Sequence, residues 1–135
     1  MLLQSRALVA LAVTEFVLRR MPLSRACTCL GVLPPEQEPS ASAQPLTPQL
    51  RTRIAQTIRC VSRASRALPL PNTCLRRSLT VGALLRDLNP ALRIGVASGV
   101  TPRTSLQAHA WLEIFGNVVA TDNVSTDSYR RLRRP

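Results

Sequence analysis

Residues 72–88 read NTCLRRSLTVGALLRDL, and they determine how the rest of the chain is interpreted. The leucines of this stretch recur at helical spacing, which predicts an amphipathic helix. Asn72 or Thr73 can cap its start, because short polar side chains accept hydrogen bonds from the free N–H groups of a first turn. The helix is therefore predicted to begin at Cys74 and to run to about Leu88, where an Asn-Pro pair ends it.

Further helices are predicted upstream, at residues 2–20, 23–30 and about 48–67. The last of these carries an apolar stripe at spacings of three and four, made of Leu50, Ile54, Ile58, Val61 and Ala64. Residues 31–48 contain five prolines. Proline interrupts regular structure, so this stretch is predicted to be a flexible spacer.

Downstream of the central helix, the apolar residues alternate, which is typical of strands. Strands are predicted at residues 92–98, 106–115 and 118–122, with a loop at 99–105. Gly116-Asn117 is predicted as a tight hairpin turn, because both residues tolerate positive φ. The chain is thus divided into an N-terminal helical segment, the spacer, a core and a basic tail, within a single domain (1–30, 31–48, 49–126 and 127–135).

The composition limits the functions to consider. The 135 residues carry a net charge of +11, and all eighteen basic residues are arginine. This charge fits either a solvated basic surface or an acidic partner. The four aromatic residues do not alternate with the arginines as in single-strand binders, and zinc-finger, RNA-recognition and basic-zipper patterns are missing from the sequence. We therefore expect no nucleic-acid partner.

The cysteines and the N-terminus predict a cytoplasmic protein with free thiols. The apolar stretch at residues 7–13 is too short to span a bilayer, and no convincing signal-peptide cleavage site follows it. Cys27 and Cys29 form only one half-pair, whereas structural zinc sites use two pairs. We predict no metal and no cofactor, and we expect Cys27, Cys29 and Cys60 to be small buried apolar residues.

Cys74 and His109 are the candidate nucleophile and base. A cysteine at a helix N-terminus faces unpaired N–H groups and the positive end of the helix dipole, and both favour the thiolate. Those N–H groups can also stabilise an oxyanion on an attacked carbonyl. A thiol nucleophile needs a base, and His109 is the only imidazole in the chain. The alternative is an inert cysteine together with a structural histidine.

Asp122 is the candidate orienting acid. With Gly116-Asn117 as a two-residue turn, Trp111 pairs with Asp122, which then lies on the same face as His109. Diagonal neighbours of this kind are about 7–8 Å apart, so the side chains can meet. A carboxylate there can hold the tautomer of the imidazole. Glu113 shares the face but is predicted to point parallel to His109.

Three segments carry a family resemblance: NTCLRRSLTVGALLRD (72–87), LRIGVASG (92–99) and AHAWLEIFGNVVATD (108–122). Together they resemble the transglutaminase-like leader peptidases of bacterial lasso-peptide biosynthesis. The segments LRRMPLSRACTCLG and RIAQTIRCVSRASRALPLPNTC are similar to the N-terminal half of that family. The resemblance covers most of the chain outside the spacer and the tail.

The resemblance implies an α+β fold of the papain-like and transglutaminase-like kind, with helices packed on a small antiparallel sheet. It implies a thiol protease whose triad is Cys74, His109 and Asp122 and which cuts the leader from a ribosomally made precursor peptide. The partners implied are the precursor, a separate leader-recognition protein, since 135 residues leave no room for that domain, and an ATP-dependent cyclase. A peripheral membrane contact also stays open. The alternatives are an acyl transferase on the same fold and a non-enzymatic basic scaffold.

Overall fold

The fold is α+β, as the family resemblance implies. A computed structural model describes residues 2–37, 43–97, 107–119 and 130–131. Within these ranges, helices lead into an antiparallel sheet of strand order β3-β2-β1-β4. The elements are α1 (Leu2–Arg20), α2 (Leu23–Leu30), α3 (Pro48–Ala67), α4 (Cys74–Leu84), a 3-10 turn (Arg86–Leu88), β1 (Ala91–Ala97), β2 (Gln107–Ile114), β3 (Asn117–Val119) and β4 (Arg130–Arg131).

Helix α4 begins where its predicted cap, Thr73, places it, and α3 has a threonine cap that the sequence analysis did not name. Thr47 caps α3 by accepting a hydrogen bond from Leu50 N at 3.3 Å, and Thr73 caps α4 in the same way. The prediction that the fourth helix runs to Leu88 is wrong at its C-terminal end. The α-helix stops at Leu84 and tightens into the 3-10 turn, which ends at Asn89 with a φ of 49°. In the described part of the chain, no helix is long and apolar enough to cross a membrane.

Helix α4 is the central element of the domain. It contacts α1, α2 and α3 on one side and strands β1 and β2 on the other. The sheet turns its apolar face toward this helix, and aliphatic side chains fill the space because the chain has few aromatic residues. The large aliphatic side chains that are fully buried in the described residues are Leu79, Val81, Leu85, Leu92, Leu112, Ile114 and, on α3, Val61.

The proline-rich segment is tied to the sheet at both of its described ends, which differs from the predicted flexible spacer. At one end, Leu33 N donates to Pro90 O at 2.9 Å and Leu33 O accepts from Leu92 N at 2.9 Å. At the other end, Gln44 N donates to Phe115 O at 2.9 Å. The prolines do prevent regular structure, but the backbone groups between them still hydrogen-bond to the strands.

The hairpin turn lies one residue earlier than predicted. Phe115 and Gly116 occupy the two turn positions with φ values of 51° and 76°, and Ile114 pairs with Asn117. Positive φ at both positions defines the hairpin turn that matches strand twist. The Asn117 side chain donates to the carbonyls of Ile114, Phe115 and Gln44, which stabilises this turn over the predicted one.

The chain end also contributes to the sheet. Arg130 and Arg131, which the sequence assigns to the basic tail, pair with Val96 and Gly95 of β1 as the edge strand β4. The side of β1 away from β2 is therefore partly covered. The predicted loop at residues 99–105 lies outside the described residues.

The close approach of α4 to its neighbours makes a prediction about Gly82. A Cβ added there would lie 2.6 Å from Val32 Cγ2 and 3.4 Å from Leu112 Cδ2. Gly82→Ala should therefore destabilise the fold by about 1–3 kcal/mol from overpacking, although alanine is the better helix former. Chemical denaturation measures this change in the free energy of unfolding.

Val32→Ala supplies the matched background for that measurement. It removes the Cγ2 atom that the new methyl group would meet, so Gly82→Ala should cost about 1 kcal/mol less in this background. An equal cost in both backgrounds would show that the contact with Val32 is not the cause.

Candidate active site

Cys74 is the first residue of α4, as predicted. Thr73 Oγ1 accepts from Arg76 N at 3.2 Å and Thr73 O accepts from Arg77 N at 3.1 Å. The N–H groups of Cys74 and Leu75 belong to the open first turn and have no acceptor within the helix. The Cys74 thiol is free and half-buried. It thus lies at the positive end of the helix dipole, where the free N–H groups can donate to an oxyanion.

His109 lies in the middle of the sheet, on β2. Its side chain is buried, and its ring stacks on Trp111 with centroids 6.1 Å apart and planes 25° from parallel. The two residues therefore share a face, as the alternating pattern predicts. Across the sheet, His109 is paired with Gly95, which has no side chain to compete for the space beside the imidazole.

Contacts between α4 and β2 set the position of Cys74 along the strand. Ser78 Oγ donates to Ala110 O at 3.3 Å, and Gly82 faces Leu112. Each step of four residues along the helix, about 6 Å, thus matches two residues along the strand, about 6.7 Å. Continuing this spacing by one more step puts Cys74 level with Ala108, the neighbour of His109. Because Leu112 faces α4 and side chains alternate along a strand, Ala108 lies on the helix side of β2, and the buried side chain of His109 lies with Trp111 on the other side.

The third predicted residue, Asp122, lies outside the described residues. Glu113, which shares the face of His109, has a different role. Its Oε2 accepts from Arg93 Nε at 3.3 Å, and both side chains are almost completely buried. Arg93 also donates to Gln37 O at 2.9 Å, so the pair links the sheet to the proline-rich segment. Glu113 is thus part of a buried structural ion pair.

A buried carboxylate holds the start of α4, and the sequence analysis missed it. Glu15 of α1 accepts hydrogen bonds from Arg76 Nε and from Arg19 Nε, the latter at 2.8 Å. Arg76 follows Cys74 by two residues, so this interaction anchors the Cys74 end of the helix to α1. The signal in the sequence was an isolated acid within the apolar face of a helix, since such residues are rarely buried without a partner.

The other cysteines are not placed for chemistry. Cys27 is completely buried, and that burial, with the negative charge of Glu36 adding to it, raises the pKa of its thiol to about 11. The expected burial is thus confirmed for Cys27 and wrong for Cys29, which is exposed, while Cys60 is half-buried; all three are free thiols. Across the described ranges, no three His, Cys, Asp or Glu side chains are close enough together to hold a metal ion.

A cysteine at the start of a central helix, packed lengthwise on the histidine-bearing strand of an antiparallel sheet, defines the class of papain-like and transglutaminase-like folds. A family model described as the transglutaminase-like superfamily matches residues 7–134. The chain belongs to this superfamily, whose members are typically cysteine peptidases or acyltransferases. Searches of curated proteins and of solved structures gave no significant match.

Glu15 yields a prediction about acid stability. Hydrogen bonds from Arg76 lower the pKa of its carboxyl below the ordinary value of 4.5, although burial opposes them. A lowered folded-state pKa stabilises the fold above the unfolded-state pKa, and this stabilisation is lost as the pH falls through the folded-state pKa. Glu15→Gln should cost about 2 kcal/mol at pH 7, and the cost should shrink below pH 4.

Asp87→Asn is the matched control for Glu15→Gln. Asp87 is also paired with an arginine, Arg53, at 2.8 Å, but both side chains are about half exposed. Exposed pairs contribute little, so this substitution should cost less than about 1 kcal/mol. Denaturation curves for both variants from pH 3 to pH 7 measure the difference. Equal costs at pH 7 would contradict a special role for Glu15.

Proposed function

We propose that this chain is a cysteine peptidase that removes the leader from a ribosomally synthesised lasso-peptide precursor before macrolactam cyclisation. Cys74 is the nucleophile, His109 the general base and acid, and Asp122 the group that orients His109. The observation that supports the proposal is the packing of α4 on β2 through Ser78 and Gly82, because the spacing of these contacts leads by one more helical step from Cys74 to the residue before His109.

The proposed reaction has two stages. His109 takes the proton of the Cys74 thiol, and the sulfur attacks the carbonyl carbon of the leader–core amide. The oxyanion accepts a hydrogen bond from Cys74 N–H, and Asn72, exposed just before the cap, is the proposed second donor. As the C–N bond breaks, His109 gives its proton to the leaving amine of the core peptide, and the leader stays on Cys74 as a thioester.

Water completes the proposed reaction. His109 accepts a proton from a water molecule as its oxygen attacks the thioester carbon, and the proton then returns to the Cys74 sulfur as the bond to it breaks. The leader leaves as a carboxylate, and the free amine of the core peptide passes to an ATP-dependent cyclase. A separate leader-recognition protein delivers the precursor in this proposal.

The observed hairpin register supports keeping Asp122 in the proposed triad. Ile114 pairs with Asn117 and Leu112 with Val119, so each step back along β2 is one step forward along β3. His109 lies three residues before Leu112, and the position three residues after Val119 is 122. This count from the observed turn leads to the position of Asp122, which supports keeping it as the proposed orienting acid.

Cys74→Ala should abolish release of the leader from the precursor, with a loss of at least about a thousandfold in kcat/KM, because no other group can form the thioester. Mass spectrometry measures the released leader after the precursor is incubated with the recognition protein and either the wild-type chain or the variant. Cys60→Ala is the matched control, since Cys60 is another half-buried free thiol, in α3, and its removal should leave the rate unchanged. Equal cleavage by the Cys74→Ala variant and the wild type would overturn the proposed nucleophile.

The mass of the released leader separates hydrolysis from acyl transfer, the other chemistry of this superfamily. Hydrolysis yields a leader that carries the oxygen of water, so the product gains the label in ¹⁸O-enriched water. A product that instead carries an added amine would assign the protein as an acyltransferase that uses the same Cys74 thioester.

Asp122→Asn should lower kcat by at least about a hundredfold, because an amide can favour the wrong imidazole tautomer and cannot stabilise the imidazolium. Asp127→Asn makes the same change five residues further on and should have little effect. The same cleavage assay compares the two variants. If Asp127→Asn is the damaging substitution, the orienting acid has been assigned to the wrong position.

A further inference from the structure

Helix α1 has two apolar faces. Ala7, Leu11 and Thr14 are buried against the rest of the domain. On the opposite side lies a second stripe with spacings of seven, four and three residues, and its members are far more exposed than core residues. They are Leu2 (79 % exposed), Val9 (64 %), Val13 (45 %) and Phe16 (58 %). A helix that is apolar on all sides is normally buried, so this outer stripe indicates a binding surface.

The stripe borders a groove of about 530 Å³, which we call the α1 groove. Leu2, Val9 and Val13 form one wall, and the opposite wall comes from the C-terminal ends of α2 and α4. The groove is therefore concave and largely apolar, and it runs along one side of a helix. This shape fits the apolar face of an amphipathic helix.

The rim of the α1 groove is positively charged. Arg6, Arg53 and Arg86 line it, and Asp87 is its only carboxylate among the described residues. Arg53 donates to both carboxylate oxygens of Asp87 at 2.8 Å, so that negative charge is already neutralised. Arg6 and Arg86 form no contact ion pair within the described ranges. Arg86 does act on Asp87, whose pKa it helps to lower, but three arginines against one carboxylate leave the groove with a net positive charge. A complementary ligand would carry carboxylates beside its apolar residues.

Charge and shape argue against two other occupants. A second copy of this chain would bring the same arginines together at a protein that carries a net charge of +11. A membrane surface is flat on this scale and would not fill a concave groove. A helix with acidic flanks satisfies both the shape and the charge of the surface.

We infer that the α1 groove is the docking site for an acidic amphipathic helix of a partner protein. The groove meets the C-terminal end of α4, about 15 Å along the helix from Cys74. A docked partner would therefore leave the nucleophile accessible. The inference goes beyond the proposed peptidase activity and does not depend on it, because it uses none of the proposed catalytic residues.

The test uses a pair of synthetic helical peptides of about 20 residues, long enough to form a helix. Both carry leucines at helical spacing; one has glutamates beside the leucines and the other has lysines. Fluorescence anisotropy with the full chain should show that the glutamate peptide binds at least about tenfold more tightly. Val9→Asp, which places a charge on the exposed stripe, should weaken that binding about tenfold.

Charge and position are tested by two further measurements. Arg6→Glu combined with Arg86→Glu should weaken binding about tenfold, whereas Arg59→Glu with Arg63→Glu, an equal charge change on the exposed side of α3, should change it less than about twofold. Cys29 lines the groove and is exposed, so the bound peptide should slow its alkylation by maleimide, and alkylation of Cys60 should not change.

Four results would overturn the inference. The first is equal affinity for the two peptides, or no binding of either, and the second is unchanged Cys29 alkylation when the peptide is bound. The third is recruitment of the protein to phosphatidylserine vesicles, abolished by Val9→Asp, when neither peptide binds. The fourth is a concentration-dependent dimer in sedimentation that Val9→Asp disrupts. The third result would assign the stripe to a membrane, and the fourth to a second copy of the chain.

Discussion

The close packing of α4 on β2 depends on small side chains at every fourth position of the helix. Cys74, Ser78 and Gly82 lie on one line of α4. Gly82 allows Val32 and Leu112 to approach it, and the Ser78 hydroxyl reaches the backbone of Ala110. Larger residues at these positions would push the helix away from the strand. The position of Cys74 beside the histidine-bearing strand thus follows from a packing requirement of the whole helix.

Buried ion pairs hold this arrangement on both sides. Glu15 anchors the start of α4 to α1, while Arg93 and Glu113 link two strands to the proline-rich segment. Arginine suits these sites because its planar guanidinium can donate to several acceptors at once. Among the described residues, these ion pairs take up Arg93, which is buried, and Arg76, which is partly buried. Because Arg76 is already paired with Glu15, the net charge of the chain overstates the charge that a partner meets.

Local signals predicted the helices well, and long-range contacts account for what they missed. The starts of α3 and α4 follow from Thr47 and Thr73, which act within their own turns. The hairpin turn does not, because Phe115 disfavours positive φ and its conformation depends on hydrogen bonds between Asn117 and Gln44, 73 residues away. The candidate pair of Cys74 and His109 came from residue type and position alone. The helix contacts at Ser78 and Gly82 that bring the two segments together depend on the tertiary fold.

The two ends of α4 offer different chemistry, and this division follows from the direction of the helix. The N-terminal end exposes N–H groups and carries the half-buried thiol of Cys74, so it favours negative charge that develops on sulfur or oxygen. The C-terminal end, near Leu84, contributes apolar surface to the α1 groove, and the arginines there come from other elements. Since α4 is packed between the other helices and the sheet, it separates these two surfaces rigidly. A partner in the groove would therefore lie at a fixed distance from Cys74 without covering it.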